Sequence, residues 1–127
     1  MDSVKAKKYL GQHFLKDESI ARRIAESLSE SVGNVLEIGP GMGVLTKYVL
    51  EQNRPNFWVI EIDSESVDYL QSHYPELSGR ICYGNFLRID LSSLFVNENF
   101  AVIGNFPYNI SSQILFKVFD NRNRIPE

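Results

Sequence analysis

Two hydrophobic rhythms alternate along the chain. Ile20, Ala21, Ile24, Ala25 and Leu28 recur at helical spacing behind Asp17, a natural N-cap, and predict a first helix from about 18 to 30. Ser31-Val32-Gly33-Asn34 breaks it, and Val35-Leu36-Glu37-Ile38 is a short, nearly continuous apolar run expected of a buried strand. The glycine-rich Gly39-Pro40-Gly41-Met42-Gly43 ends that strand, and Leu45, Tyr48 and Val49 suit a helix closing before Pro55. Phe57-Trp58-Val59-Ile60-Glu61-Ile62 is aromatic and β-branched, as a second strand should be. Asp63 or Ser64 then caps a helix carrying Val67 and Leu70 that stops before Pro75. Arg80 to Tyr83 forms a third strand, Asp90 to Leu94 one helical turn, and Phe100 to Asn105 a fourth strand. Ser111 caps a last helix with Ile114, Leu115, Val118 and Phe119.

Strands alternating with helices predict βαβ units: an α/β fold with four parallel strands, flanking helices and right-handed crossovers. Such sheets bind ligands beyond the carboxyl ends of their strands, near the point where strand order reverses. The polar and glycine-rich motifs of this chain all stand at those ends.

Composition narrows the class only a little. A chain of 127 residues with 43% hydrophobic content can bury one core, and no apolar run is long enough to span a membrane. Met1-Asp2-Ser3-Val4-Lys5 lacks a secretory signal's apolar stretch, and the single Cys82 fits a reducing compartment, so a cytoplasmic protein is expected. Charge is more informative. The net charge is -3 and the pI about 5.4, yet Lys5, Lys7, Lys8, Lys16, Arg22 and Arg23 gather at one end, and Arg122 and Arg124 at the other. A basic arm on an acidic body can touch nucleic-acid phosphates at one edge, and equally it can be a solvated arm. The chain accordingly divides into a basic arm and first helix, 1–30, and an α/β unit, 31–127.

The turn at 39–43 lets a ligand approach the backbone with no Cβ in the way. Its G-x-G-x-G spacing differs from the G-x-G-x-x-G that cradles a pyrophosphate. It therefore suits S-adenosylmethionine, which carries no phosphate, while a purely structural tight turn would look the same. Glu61 shifts the balance: it ends the second strand roughly twenty residues on, where an acid accepts ribose hydroxyls. After the third strand, Asn85 is placed to reach an adenine edge and Phe86 its ring face, unless the pair is only a polar turn and a core aromatic. Asn105-Phe106-Pro107-Tyr108 follows the fourth strand, beside the same cleft. An exocyclic adenine amine is a poor nucleophile until its N–H groups are accepted, here by the Asn105 amide oxygen and a main-chain carbonyl near Phe106 or Pro107. Pro107 removes a competing donor and Tyr108 offers a face for a flipped base. Catalysis of this kind rests on positioning and electrostatics and calls for no metal.

Four segments carry a resemblance. Lys8-Tyr9-Leu10-Gly11-Gln12-His13-Phe14-Leu15, Leu36 to Gly43, Ile60-Glu61-Ile62-Asp63 and Ile103 to Ser111 stand in the order seen in the ribosomal RNA adenine dimethyltransferases that modify two adjacent adenines of small-subunit rRNA. The erythromycin-resistance methylases of large-subunit rRNA share most of them, but Pro40 to Thr46 and Gln113-Ile114-Leu115-Phe116 look more like the small-subunit enzymes. The resemblance implies a Rossmann-like S-adenosylmethionine-dependent methyltransferase fold, a cytoplasmic role in ribosome maturation, and small-subunit rRNA as partner. Gln12, His13 and Leu15 would close over the methionine part of the cofactor. Gly39 and Gly41 would line its turn, Glu61 with Ile62 would hold the ribose, and Asn85 and Phe86 would meet its adenine. Asn105, Pro107 and Tyr108 would hold the target base, Asn105 also facing the cofactor.

Two departures accompany it. Asn85 stands where the family usually has Asp, which implies weaker cofactor binding, and Phe106 stands where Leu is common. The family also continues past this chain's length with further strands and a helical domain that docks rRNA. The chain therefore reads as a front portion, expected to bind cofactor rather than turn over, with its fourth strand a bare edge prone to self-association. Rival functions are a large-subunit methylase of the antibiotic-resistance type and a non-catalytic RNA- or ribosome-binding assembly factor.

Overall fold

The computed structural model describes residues 18–96, 98–105 and 111–127. Four strands, β1 (Asn34–Ile38), β2 (Asn56–Glu61), β3 (Ile81–Tyr83) and β4 (Ala101–Gly104), form one sheet in the order β3-β2-β1-β4, with every neighbouring pair parallel. Among the described residues four α-helices accompany them: α1 (Glu18–Glu26), α2 (Thr46–Leu50), α3 (Ser64–His73) and α4 (Ser111–Asp120). Single 3₁₀ turns occupy Pro75–Leu77 and Leu91–Ser93. This is the expected α/β architecture. Strand order reverses at β1, whose partners are β2 on one side and β4 on the other, and this sets the cleft at the carboxyl end of β1.

The continuous apolar character of β1 follows from burial on both faces. Val35 joins Ala21, Ala25, Val49, Phe57, Val59, Leu70 and Ala101 in one core, while Leu36 and Ile38 join Ile60, Phe86, Phe100 and Ile114 in a second. Successive strand side chains point to opposite faces, so each strand feeds both cores. Full burial of one such aliphatic side chain contributes about 1.5–3 kcal/mol, and these two layers fix the helices on either side of the sheet.

Element boundaries differ from the sequence expectation where side chains compete with the backbone. Helix α1 ends at Glu26 rather than near 30, because Ser27 Oγ turns back to donate to the Ile24 carbonyl at 2.6 Å. Asp63, not Ser64, caps α3: its carboxylate accepts from the Ser66 amide at 3.1 Å and the Ser66 hydroxyl at 2.9 Å. Helix α4 begins at Ser111, so this serine is its first turn rather than its cap. The proposed cap at Asp17 lies outside the described residues.

The outer edge of β4 is not bare, contrary to expectation. The Phe100 amide donates to the Arg124 carbonyl and the Val102 amide to the Glu127 carbonyl, both at 2.9 Å, so the segment after α4 runs beside the first half of the strand. Glu127 is itself held by the amide and hydroxyl of Ser29, at 2.8 and 2.7 Å. What remains open is the outer surface of α4, where Leu115, Phe116 and Phe119 are 61–70% exposed.

Candidate functional site

The strand register assembles the site. Ile38 pairs with both Ile60 and Gly104, so Gly39, Glu61 and Asn105 follow at one level across three neighbouring strands. The turn after β1 is fastened to β2 by the Gly39 amide, which donates to the Ile60 carbonyl at 2.9 Å. Gly39 has φ 66° and is exposed, and a Cβ built on it would touch nothing within 4 Å; the backbone conformation, with open space beyond it, is what calls for glycine. Gly43 is constrained twice, by φ 85° and by the Tyr74 ring, which a Cβ would approach to 2.5 Å.

Glu61 meets this turn directly. One carboxylate oxygen accepts from the Gly41 amide and the other from the Asp63 amide, each at 2.9 Å. The side chain is 1% exposed, so the turn closes over it. Burial raises its pKa, and the two backbone donors work against that shift. Ile62, the next residue, is 46% exposed at the rim.

Two residues that sequence reasoning passed over lie beneath the turn. Glu37, on β1, is 1% exposed and accepts from the Thr46 hydroxyl of α2 at 2.6 Å. Its pKa is raised to about 8, first by burial and further by the neighbouring Glu61 carboxylate, with the Thr46 hydrogen bond opposing both. The carboxyl is therefore mostly protonated at neutral pH. Tyr74, after α3, donates through its hydroxyl to the Gly43 carbonyl at 3.3 Å. An acid inside an apolar strand run was the available signal for Glu37. Nothing local marks Tyr74, which reaches the turn only through folding.

On the β3 side, the Gly84 amide donates to the Glu61 carbonyl at 2.9 Å, joining the two strand ends. Asn85 is half-buried, and its side-chain oxygen accepts from the Leu87 amide at 3.0 Å. That bond assigns the amide oxygen to the backbone and leaves the NH₂ group as the outward end. Phe86 does not present a face to the cleft as expected. It is 3% exposed within the second core, with the Lys117 ammonium 5.0 Å from its ring centroid. Asn105 is half-buried just past β4. Gln12, His13, Leu15, Pro107 and Tyr108 lie outside the described residues.

The fold thus brings Gly39, Gly41, Glu61, Asn85 and Asn105 to one end of the sheet. The strand-end segments 39–43, 61–63, 84–86 and 104–105 hold the acids Glu61 and Asp63 and contain neither Lys nor Arg. That electrostatic setting suits a neutral or cationic ligand with hydroxyls better than a phosphate, which calls for cations or an anion nest.

Comparison with known proteins agrees with this geometry. The model of the family described as ribosomal RNA adenine dimethylase matches residues 3–126. A protein of Flavobacterium johnsoniae named ribosomal RNA small subunit methyltransferase A is 58% identical, the match covering 100% of this chain and 49% of that one. A protein of the same name from Parabacteroides distasonis is also 58% identical, over 99% of this chain and 47% of its own. Among solved structures, a dimethyladenosine transferase from Plasmodium falciparum superposes with a TM-score of 0.64 at 27% identity, covering 89% of this chain and 40% of that one. The 23S rRNA methyltransferase ErmE superposes with 0.62 at 32% identity, covering 82% and 41%. The chain spans about half the length of the curated relatives it matches. With its parallel β3-β2-β1-β4 sheet, its glycine turn locked to Glu61, and a family model matched from residue 3 to 126, this chain belongs to the ribosomal RNA adenine dimethylase family.

Proposed function

We propose that this chain forms the cofactor- and adenine-binding part of a cytoplasmic S-adenosylmethionine-dependent enzyme that dimethylates two adjacent adenines of small-subunit rRNA. The observation that carries the proposal is the joining of Gly41 and Glu61 by a 2.9 Å hydrogen bond at the strand-order switch. Glycine turn and acid are two halves of a ribose-binding arrangement, and here they touch. The strand-end segments themselves contribute Glu61 and Asp63 and no Lys or Arg, which agrees with a ligand of net positive charge, the Lys117 ammonium being engaged by the Phe86 and Ile89 carbonyls.

When bound, the cofactor supplies an electrophilic methyl group on a sulfonium. Glu61 accepts the two ribose hydroxyls, replacing the Gly41 and Asp63 amides or adding to them. Gly39 and Gly41 let the ligand lie against bare backbone, with Ile62 against the ribose rim. Asn85 meets the adenine edge, and Phe86 supports that turn from the core rather than stacking on the ligand. Gln12, His13 and Leu15, outside the described residues, would by family resemblance serve the methionine end. At the reacting centre, Asn105 accepts one N–H of the target amine and a main-chain carbonyl near Pro107 accepts the other, which orients the nitrogen lone pair. Tyr108 stacks on the base. These residues would position the amine and accept its hydrogens, leaving its proton to pass to solvent, so that positioning rather than a strong base would be the chain's contribution.

Calorimetric titration with S-adenosylmethionine tests the site. Saturable binding weakened about tenfold or more by Glu61→Ala, near 1.4 kcal/mol, is expected. Equal affinity of the two chains, or none in either, refutes it. Methyl transfer to small- or large-subunit rRNA by the chain extended to the length of its relatives separates the small-subunit substrate from the large-subunit one, and Asn105→Ala distinguishes an enzyme from an assembly factor.

A further inference from the structure

The turn at 85–89 spends its amide hydrogens internally. Leu87 donates to the Asn85 side chain at 3.0 Å, and Arg88 and Ile89 donate to the Asn85 carbonyl at 2.9 and 3.2 Å. Its carbonyls then need donors from elsewhere, because a partly buried acceptor left without one is costly. A single side chain answers two of them. Lys117 of α4 donates to the Phe86 carbonyl and, at 2.7 Å, to the Ile89 carbonyl, while its ammonium sits 5.0 Å above the Phe86 ring. Partial burial lowers its pKa and the Asp90 carboxylate opposes that, in keeping with an amine partly screened by the turn it binds.

The two ends of this tie belong to different parts of the cleft. Asn85 is on the cofactor's adenine side. Helix α4 starts at Ser111, six positions after Asn105 at the end of β4. Within α4, Ile114 is 1% exposed in the second core, and Lys117 lies one turn further on the same side. The helix therefore delivers the ammonium from a fixed platform, about thirty residues away in sequence from the carbonyls it binds.

We propose that Lys117 is a positioning residue that locks the Asn85 turn to helix α4, so that the adenine side of the cleft keeps one placement against that helix. The proposal rests on the cofactor reading above for its functional half, and on the hydrogen bonds alone for its structural half. Lys117→Met removes the ammonium with both of its hydrogen bonds and leaves an unbranched thioether of about the length of the lysine stem.

Hydrogen–deuterium exchange of the full chain, with affinity for S-adenosylhomocysteine measured alongside, is the test. K117M is expected to speed exchange in peptides covering 86–89 about tenfold, leave β1 unchanged, and weaken the ligand about fivefold. K117R, which keeps the charge and donors, should restore most of both. In the background of Asn85→Ala the further loss from K117M should be small, because the two act through one turn. Unchanged exchange at 86–89, or a rise shared equally with β1, overturns the tie and leaves Lys117 as general support for α4. Failure of the unaltered chain to bind the ligand counts against the cofactor reading, and the exchange arm still decides the tie. Should K117M not fold, K117Q retains one donating group and should show a smaller increase confined to the same peptides.

Discussion

Glu37 offers the sharpest test of how the site is built. Its carboxyl is fully enclosed, with Thr46 as hydrogen-bond donor and Glu61 as a like-charged neighbour. Tyr74, on the same side of the turn, is the further titratable group that feels it. The folded pKa of about 8 lies above the ordinary carboxyl value of 4.5, so between those limits the folded protein binds more protons than the unfolded chain. Stability must therefore fall as pH rises through that window, and be unaffected by this group below it. At 1.36 kcal/mol per pH decade the full effect stays under about 5 kcal/mol, and roughly 2–4 kcal/mol once water reaches the ionised group. Glu37→Gln keeps the shape and an acceptor for Thr46 but cannot ionise. Urea unfolding followed by the fluorescence of Trp58, the single tryptophan, should give similar midpoints for the two proteins near pH 5. By pH 8.5 the Gln variant should be the more stable by at least about 2 kcal/mol. Glu61 also has a raised pKa, but it is present in both proteins and cancels to first order in the comparison. Parallel pH profiles for the two proteins would refute the argument, and would mean that Glu37 is ionised and compensated in the fold.

Three further outcomes follow from the geometry. Gly43→Ala should cost about 1–3 kcal/mol in urea unfolding, since it meets both a φ of 85° and the Tyr74 ring; adding Tyr74→Ala should return only the steric part. Asn85→Asp keeps an oxygen for the Leu87 amide and exchanges the outward NH₂ for a second acceptor, so calorimetry should find S-adenosylmethionine bound about threefold to tenfold tighter, and unchanged affinity would remove the idea. The exposed Leu115, Phe116 and Phe119 should drive self-association at high concentration, detectable by light scattering and reduced by Phe116→Glu; a clean monomer in the unaltered chain would count against it.

Much of this protein could be read from local pattern. Periodicity located all four strands and the helices between them, because a strand buried on both faces must be apolar throughout and a helix packed on one face must repeat its apolar positions. The glycine turn and Glu61 were legible for the same local reason: the chemistry of a strand end depends on which residues stand there. Lengths were less legible, since Ser27 ended α1 through a side-chain bond that hydrophobic spacing does not record. Phe86 was misassigned because an aromatic next to a polar turn can face ligand or core, and only packing against Leu36, Ile60 and Ile114 decided for the core. Tyr74 under Gly43, Lys117 on the Asn85 turn and the Arg124–Glu127 segment along β4 join residues 24 to 31 positions apart. Such contacts exist only after the crossovers fold back onto the sheet. The sequence by itself determined which residues stand at the carboxyl end of each strand, and the tertiary structure alone decided which distant side chains hold those residues in place.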